Sequence, residues 1–361
     1  MGQEAERASI LVHGATGFTG KLVCAALRVR NVRFAISGRN AARIEPLSES
    51  LGGVESHCVD IDDTKTLDAA LEGRVLVSAC AGPFARVGEP MLAAAIRAGV
   101  HYVDSTGEQS FVAAAVSKYG EAAIRRNVCA IPSMAYETAL ADWAAHEASS
   151  RLSRPPASID IVYAVDEFRT TRGTKHSILA ALSETAPRQF VDGRLVVEEI
   201  ARDRRKAVLA DGQVKEALSF PSPEAVLVPM HTRARTVRTF AVVDSKVILL
   251  ASMFRKAAPL VGRVAEALFG GVVDGMAEGP TPDERARQTF MVLVEAETGS
   301  ERAAVRVTGR DPYGLTAFLH AHAAVEALAG KLEARGVVAP SMAFPYERAQ
   351  AGLSEFGIAF V

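Results

Sequence analysis

With 361 residues, the chain is long enough for two domains that each bury a core. Its 41 Lys and Arg against 42 Asp and Glu exclude the basic footprint of a nucleic-acid binder or a polybasic membrane anchor, and favour a small-molecule partner. The four cysteines, Cys24, Cys58, Cys80 and Cys129, form no Cys-x-x-Cys and mostly fall in apolar runs, which predicts reduced thiols, no metal site and a cytoplasmic protein.

The opening MGQEAER lacks the basic start and apolar centre of a signal peptide. Beyond it, short apolar runs alternate with helical stretches as far as about Ala130. The runs are SILVH (9–13), RFAIS (33–37), VESHCVD (54–60), VLVSAC (75–80), VHYVD (100–104) and VCAIP (128–132). Helices are predicted between them at Lys21–Arg30, Ala41–Leu51, Thr64–Glu72, Pro90–Ala98 and Gln109–Arg126. This alternation predicts an α/β fold, a Rossmann-type doubly wound parallel sheet covered on both faces.

The rhythm breaks at SRLSRPPAS (150–158), and longer strands follow: IDIVYAV (159–165), EAVLVPM (224–230), RTVRTFAVV (235–243) and TFMVLVEAE (289–297). Polar residues at alternate positions of HTRARTVRTFAVVD (231–244) suit an antiparallel sheet with one wet face. They predict a second α/β domain, built on a mainly antiparallel sheet. RDRRK (202–206) reads as a solvated loop, and VILLASMF (247–254) is too short to cross a bilayer. A final helix over Thr316–Gly336, entered through Asp311-Pro312-Tyr313-Gly314, is expected to pack back on the first domain. The domains are thus residues 1–135 completed by 312–361, and residues 136–311.

The stretch VHGATGFTGKL (12–22) stands where the first strand becomes the first helix. There Gly14 permits a tight turn, Gly17 lets backbone approach a pyrophosphate, and Gly20 brings helix and strand close, while the helix N-terminus offers N–H groups to the anion. The second strand ends in ISGRN, with no acidic residue to accept from a ribose 2′-hydroxyl. Ser37, Arg39 and Asn40 instead suit a 2′-phosphate, so NADP is expected over NAD. Asp60, at the end of the third strand, either touches the adenine amino group or caps the next helix.

GATGFTG followed by SGRN, and then VSACAGPFARVGEPMLAAAIRAGVHYVDSTGE (77–108), resembles the saccharopine dehydrogenase-like oxidoreductases, especially their trans-acting enoyl reductase branch. MAYETALADWAA (134–145), RGTKHS (172–177) and VTGRDPYGLTA (307–317) extend the resemblance over most of the chain. It implies an NADP-binding Rossmann domain, a second α/β domain and an active site in the cleft between. It also implies that Gly14, Thr16, Gly17, Phe18, Thr19 and Gly20 hold the pyrophosphate, Ser37 and Arg39 the adenosine phosphate, and that Ala81-Gly82-Pro83 flanks the nicotinamide ribose. Ala135, Glu137 and Leu140 depart from the Gly, Asp and Pro of that branch.

A hydride donor needs a proton donor beside it. No tyrosine has Lys four positions later, which excludes the Tyr-x-x-x-Lys mechanism. Tyr136, beside Glu137 after the sixth strand, either gives a phenolic proton or packs at the domain junction. His176 titrates near neutrality, or else caps the apolar helix expected from Ser177. Tyr313 is a third candidate, on the nicotinamide side. Asp104 and Glu108 read as helix caps; His231 and its neighbouring arginines either attract an acidic substrate or solvate a strand. The expected activity is NADPH-dependent reduction of a small or medium carbonyl, imine or enoyl compound bound between the domains, and a homodimer is compatible with the sequence. The alternative is an NADP-binding redox sensor without turnover.

Overall fold

A computed structural model describes residues 9–166, 169–176, 186–243, 275 and 277–361. It separates into two compact units. Unit 1 combines Met1–Thr106, Ala114–Ala135 and Tyr313–Phe344; unit 2 combines Gly107–Ala113, Tyr136–Pro312 and Pro345–Val361. The apolar helix expected from Ser177 and the stretch Val247–Phe254 lie outside the described residues. Among the described residues no helix is long and apolar enough to cross a membrane.

Unit 1 is built on β1 (Ile10–His13), β2 (Phe34–Gly38), β3 (Ser56–Cys58), β4 (Leu76–Ala79), β5 (His101–Asp104) and β6 (Cys129–Ile131). They alternate with α1 (Phe18–Val29), α2 (Ala41–Ser50), α3 (Thr64–Leu71), α4 (Phe84–Ala98) and α5 (Gln109–Arg125). Strands β1, β2, β4 and β6 are buried along their whole length, as expected for strands covered on both faces. All pairings are parallel and the order is β15-β6-β5-β4-β1-β2-β3, where β15 is Gly336–Val337. The order reverses between β1 and β4, and that switch point is where open α/β sheets bind ligands.

Two elements of unit 1 differ from expectation. Helix α4 begins at Phe84, directly after Pro83, and runs through Pro90. Phe84, Met91, Leu92 and Ala95 bury one continuous face, and that packing offsets the hydrogen bond Pro90 cannot donate. The last long helix covers Pro312–Leu328 and stops short of Gly336, which instead opens β15 and pairs with Cys129 at the sheet edge.

Unit 2 carries β7 (Ser158–Val165), β8 (Arg188–Val191), β9 (Arg194–Val197), β10 (Arg204–Val208), β11 (Val214–Ser219), β12 (Thr236–Val242), β13 (Thr289–Thr298), β14 (Glu301–Arg310) and β16 (Ala359–Phe360). Helix α6 (Tyr136–Ser150) packs with β13 and β14. The main path is β10-β11-β12-β7-β13-β14-β16, with β8 on β12 and β9 on β8. It is antiparallel except where β12 runs parallel to β7.

EAVLVPM forms two helical turns, Glu224–Leu227 and Pro229–Thr232, not a strand, and the strand expected from His231 starts only at Thr236. Pro229, with φ fixed and no N–H, opens the second turn. RDRRK is no loop: Arg204–Val208 is β10, with Arg205 bonded to Asp160 Oδ2 at 2.7 Å and to Glu295. The C-terminal segment 345–361, expected in the first domain, belongs to unit 2, because Phe360 and Ala359 pair with Val307 and Thr308 of β14.

Candidate active site

The first glycine turn is held by backbone bonds at the switch point. Gly14 and Ala15 N–H donate to Ser37 O at 2.8 and 3.2 Å, and Gly17 N–H donates to Gly14 O at 3.0 Å. Gly14 has φ +76°, and a Cβ there would meet Ala81 N at 2.7 Å. A Cβ on Gly20 would lie 2.4 Å from Gly14 O and 2.7 Å from Ala15 Cα, so only glycine lets α1 come so near the turn. Gly17 is the N-cap of α1 without a side-chain cap, and Thr16, Gly17, Phe18 and Thr19 are all half-buried around it. A backbone cradle with no Cβ in it, at an uncapped helix N-terminus, fits a diphosphate. Ala81, Gly82 and Pro83 follow β4 on the other side of the switch point, with Gly82 exposed and the Gly82–Pro83 peptide cis.

At the end of β2 the expected residues divide. Ser37 is fully buried, and its hydroxyl lies 3.0 Å from His13 Nδ1. Burial holds His13 down at about 4, which keeps the ring neutral. Arg39 and Asn40 are exposed, and Asn40 caps α2 without a side-chain bond. Arg43, unremarked in the sequence, adds a second guanidinium at this edge and donates to Thr16 O at 3.0 Å. Asp60 accepts from Asp62 N at 3.0 Å, whereas the cap of α3 is Asp63, bonded to Lys65 N at 2.9 Å.

Tyr313 stands edge-on to Phe18, with ring centroids 5.4 Å apart, which brings it to the glycine turn. Below β4, Ser78 Oγ lies 2.8 Å from His320 Nδ1, and burial pushes His320 down to about 3. Asp104, read as a helix cap, instead ties β5 to β6: its carboxylate accepts from Thr106 N and Ser133 N, both at 2.9 Å.

Unit 2 has its own polar centre. Tyr136 packs on Phe290 with centroids 4.8 Å apart, and Glu137 follows it on the first turn of α6. Burial, with the negative charge of Glu224 adding to it, raises the Glu137 carboxyl to about 7. Glu224 is fully buried and accepts from the Ser222 hydroxyl. Burial and then Glu224 hold the Tyr163 phenol well above its ordinary range. Gln109 frames the group by donating to Ser222 O and Arg188 O, each at 2.9 Å. Glu224 and Tyr163 carry no sequence signal, since neither sits in a motif.

His176 lies half-exposed on a helical turn in which Thr171 Oγ1 accepts from Thr174 N at 3.0 Å. His231 does not face a substrate from the sheet: its Nε2 is 2.6 Å from Asp142, which is fully buried. Of its arginine neighbours, Arg238 pairs with Asp203 at 3.2 Å and Arg235 with Asp192 at 3.4 Å. Among the described residues no group of His, Cys, Asp and Glu is placed to hold a metal ion.

A glycine cradle at the switch point of a doubly wound sheet defines a dinucleotide-binding domain. Residues 10–141 match the family model of the saccharopine dehydrogenase NADP binding domain, and the coenzyme is NADP. A trans-acting enoyl reductase of Mycobacterium ulcerans (strain Agy99) is 33% identical over 116 residues, which are 30% of this chain and 28% of that protein. One from Mycobacterium leprae (strain TN) is 35% identical over 108 residues, 28% of this chain and 26% of its own length. The matches thus span less than a third of these relatives. The apo saccharopine dehydrogenase (L-Glu forming) of Saccharomyces cerevisiae shares the fold at 13% identity, with a TM-score of 0.59 over 98% of both chains.

Proposed function

We propose that the protein is an NADPH-dependent reductase of a small or medium carbonyl, imine or enoyl compound, acting in the cytoplasm. The observation that carries the reading is the glycine cradle at the β1/β4 switch point within a segment of the NADP-binding family. Bound NADPH supplies the hydride. The chain's own residues do the rest: the turn Gly14–Gly20 holds the diphosphate with Thr16, Phe18 and Thr19, and Arg39, with Asn40 and Arg43, holds the 2′-phosphate. Ala81, Gly82 and Pro83 flank the nicotinamide ribose. Tyr313 orients the cofactor through Phe18. The four free cysteines agree with a reducing compartment.

Titration calorimetry with NADPH and NADH tests the cofactor site. NADPH is expected to bind at about micromolar concentration, well ahead of NADH. Arg39→Glu, which removes one or two charge-assisted hydrogen bonds, is expected to weaken NADPH about 10- to 100-fold and leave NADH nearly unchanged. No heat with either coenzyme overturns the reading. Loss of NADPH absorbance is then followed with ketones, imines and enoyl thioesters; binding without turnover on all of them makes the protein a sensor.

A further inference from the structure

Thr16 and Gly17 share the peptide through which the glycine turn enters α1. Gly17 is the N-cap, and the helix ladder begins with Lys21 N–H on Gly17 O at 3.0 Å, so the Thr16 carbonyl stands ahead of that ladder. A side chain 27 positions further along takes it up: Arg43 Nη2 donates to Thr16 O at 3.0 Å. The N–H of the same peptide, on Gly17, donates to Gly14 O at 3.0 Å. Because a peptide is planar, these two bonds together fix which way it faces.

Arg43 is delivered by a firmly packed start of α2. Its own N–H and that of Ile44 both donate to Asn40 O at 3.1 Å. Ile44 is 2% exposed and covers the end of β2, where a Cβ on Gly38 would come to 3.1 Å from Ile44 Cδ1. Arg43 itself is exposed and lies in the first turn of α2, where the helix dipole disfavours a cation. Neither burial nor helix stability accounts for an arginine there, whereas the bond to the glycine turn does. The residue after the tied carbonyl is glycine, so rotation of the Thr16–Gly17 peptide meets little steric resistance. Turned over, the peptide would lose both bonds and bring its carbonyl oxygen to the side now held by the Gly17 N–H. That adds the negative end of a dipole to a cradle proposed for an anion.

We propose that Arg43, beyond its place beside Arg39 at the 2′-phosphate, is a positioning residue for the coenzyme diphosphate: it holds the Thr16–Gly17 peptide in the orientation that keeps the glycine turn receptive to an anion. The inference rests on the proposed NADPH site and deepens it. The two arginines of this edge then divide the work. Arg39 follows β2 directly and acts on the 2′-phosphate alone. Arg43 acts on the turn, and so on any ligand whose diphosphate enters it, with or without a 2′-phosphate.

Calorimetry on the full chain with NADH and with 2′-AMP separates the two roles, since NADH carries the diphosphate without a 2′-phosphate and 2′-AMP the reverse. Arg43→Ala is expected to weaken NADH about 10-fold and NADPH by at least as much, whereas Arg39→Glu weakens NADPH and 2′-AMP and spares NADH. Arg43→Lys, which keeps a donor and a charge, should recover part of the NADH loss. The melting temperature should stay within about 2 °C in each Arg43 variant, because an exposed side chain contributes little to global stability. Amide hydrogen exchange without coenzyme reads the peptide directly: the Gly17 N–H is expected to exchange about 5-fold faster or more in Arg43→Ala. That measurement carries the test should NADH bind the unaltered protein too weakly to titrate. NADH affinity within twofold in Arg43→Ala, or Gly17 exchange at the unaltered rate, overturns the positioning role and leaves Arg43 a phosphate contact only. No heat with NADPH on the unaltered protein overturns the coenzyme reading itself, and the positioning role with it.

Discussion

In unit 1 the proposed cofactor site is made of backbone amides and carbonyls of Gly14–Gly20 and the turn Ala81–Pro83, held by bonds such as Gly14 N to Ser37 O at 2.8 Å. In unit 2 the acid cluster is made of side chains whose positions in the sequence run from Gln109 to Phe290. A backbone site is fixed by what is absent, the β-carbon, and it breaks when atoms are added. A side-chain site is fixed by burial and by neighbouring charge, and it breaks when a charge is removed.

The largest effect expected from this contrast is that of Gly20→Ala. The new Cβ would stand 2.4 Å from Gly14 O, and the obstruction is backbone that cannot swing aside. Calorimetry is expected to show no measurable NADPH binding, and urea unfolding a loss of about 1–3 kcal/mol. Binding retained within threefold would break the comparison on the unit 1 side.

An intermediate effect is expected for the pH dependence of stability in Glu137→Gln. The folded protein raises this carboxyl from 4.5 to about 7, so it binds the proton more tightly than the unfolded chain does. The stabilisation is therefore complete below about pH 4.5 and is lost as pH rises through 7, on the order of 1–3 kcal/mol for a half-buried group. Urea unfolding between pH 5 and pH 8 should show this slope in the unaltered protein and a flatter line in the variant. Equal slopes would mean that burial and Glu224 do not act on Glu137 as described.

The smallest effect sharpens the comparison inside unit 1. Ser37→Ala removes the partner of His13 Nδ1 and is expected to cost about 1 kcal/mol of stability. NADPH affinity should stay within twofold, since the turn is held by the Ser37 carbonyl, which alanine keeps. A loss as large as that of Arg39→Glu would put the Ser37 hydroxyl on the phosphate after all.

The sequence by itself determined the parallel sheet of unit 1 and its glycine turn. Both are written within short stretches: strands buried on both faces read as unbroken apolar runs, and a turn that admits no β-carbon reads as spaced glycines. Tertiary structure decided what local pattern does not encode. Pro90 sits inside α4 because the Phe84 to Ala95 face is buried, and residues 224–230, apolar enough for a strand, fold into helical turns opened by prolines. Gly336 leaves the last helix to pair with Cys129, and Phe360 crosses to Val307. The serine of ISGRN turned inward to a histidine that the motif does not include. Glu137, Tyr163 and Glu224 acquire their shared chemistry only when segments distant along the chain are buried together, because desolvation and charge coupling depend on separation in space and leave no period in the sequence.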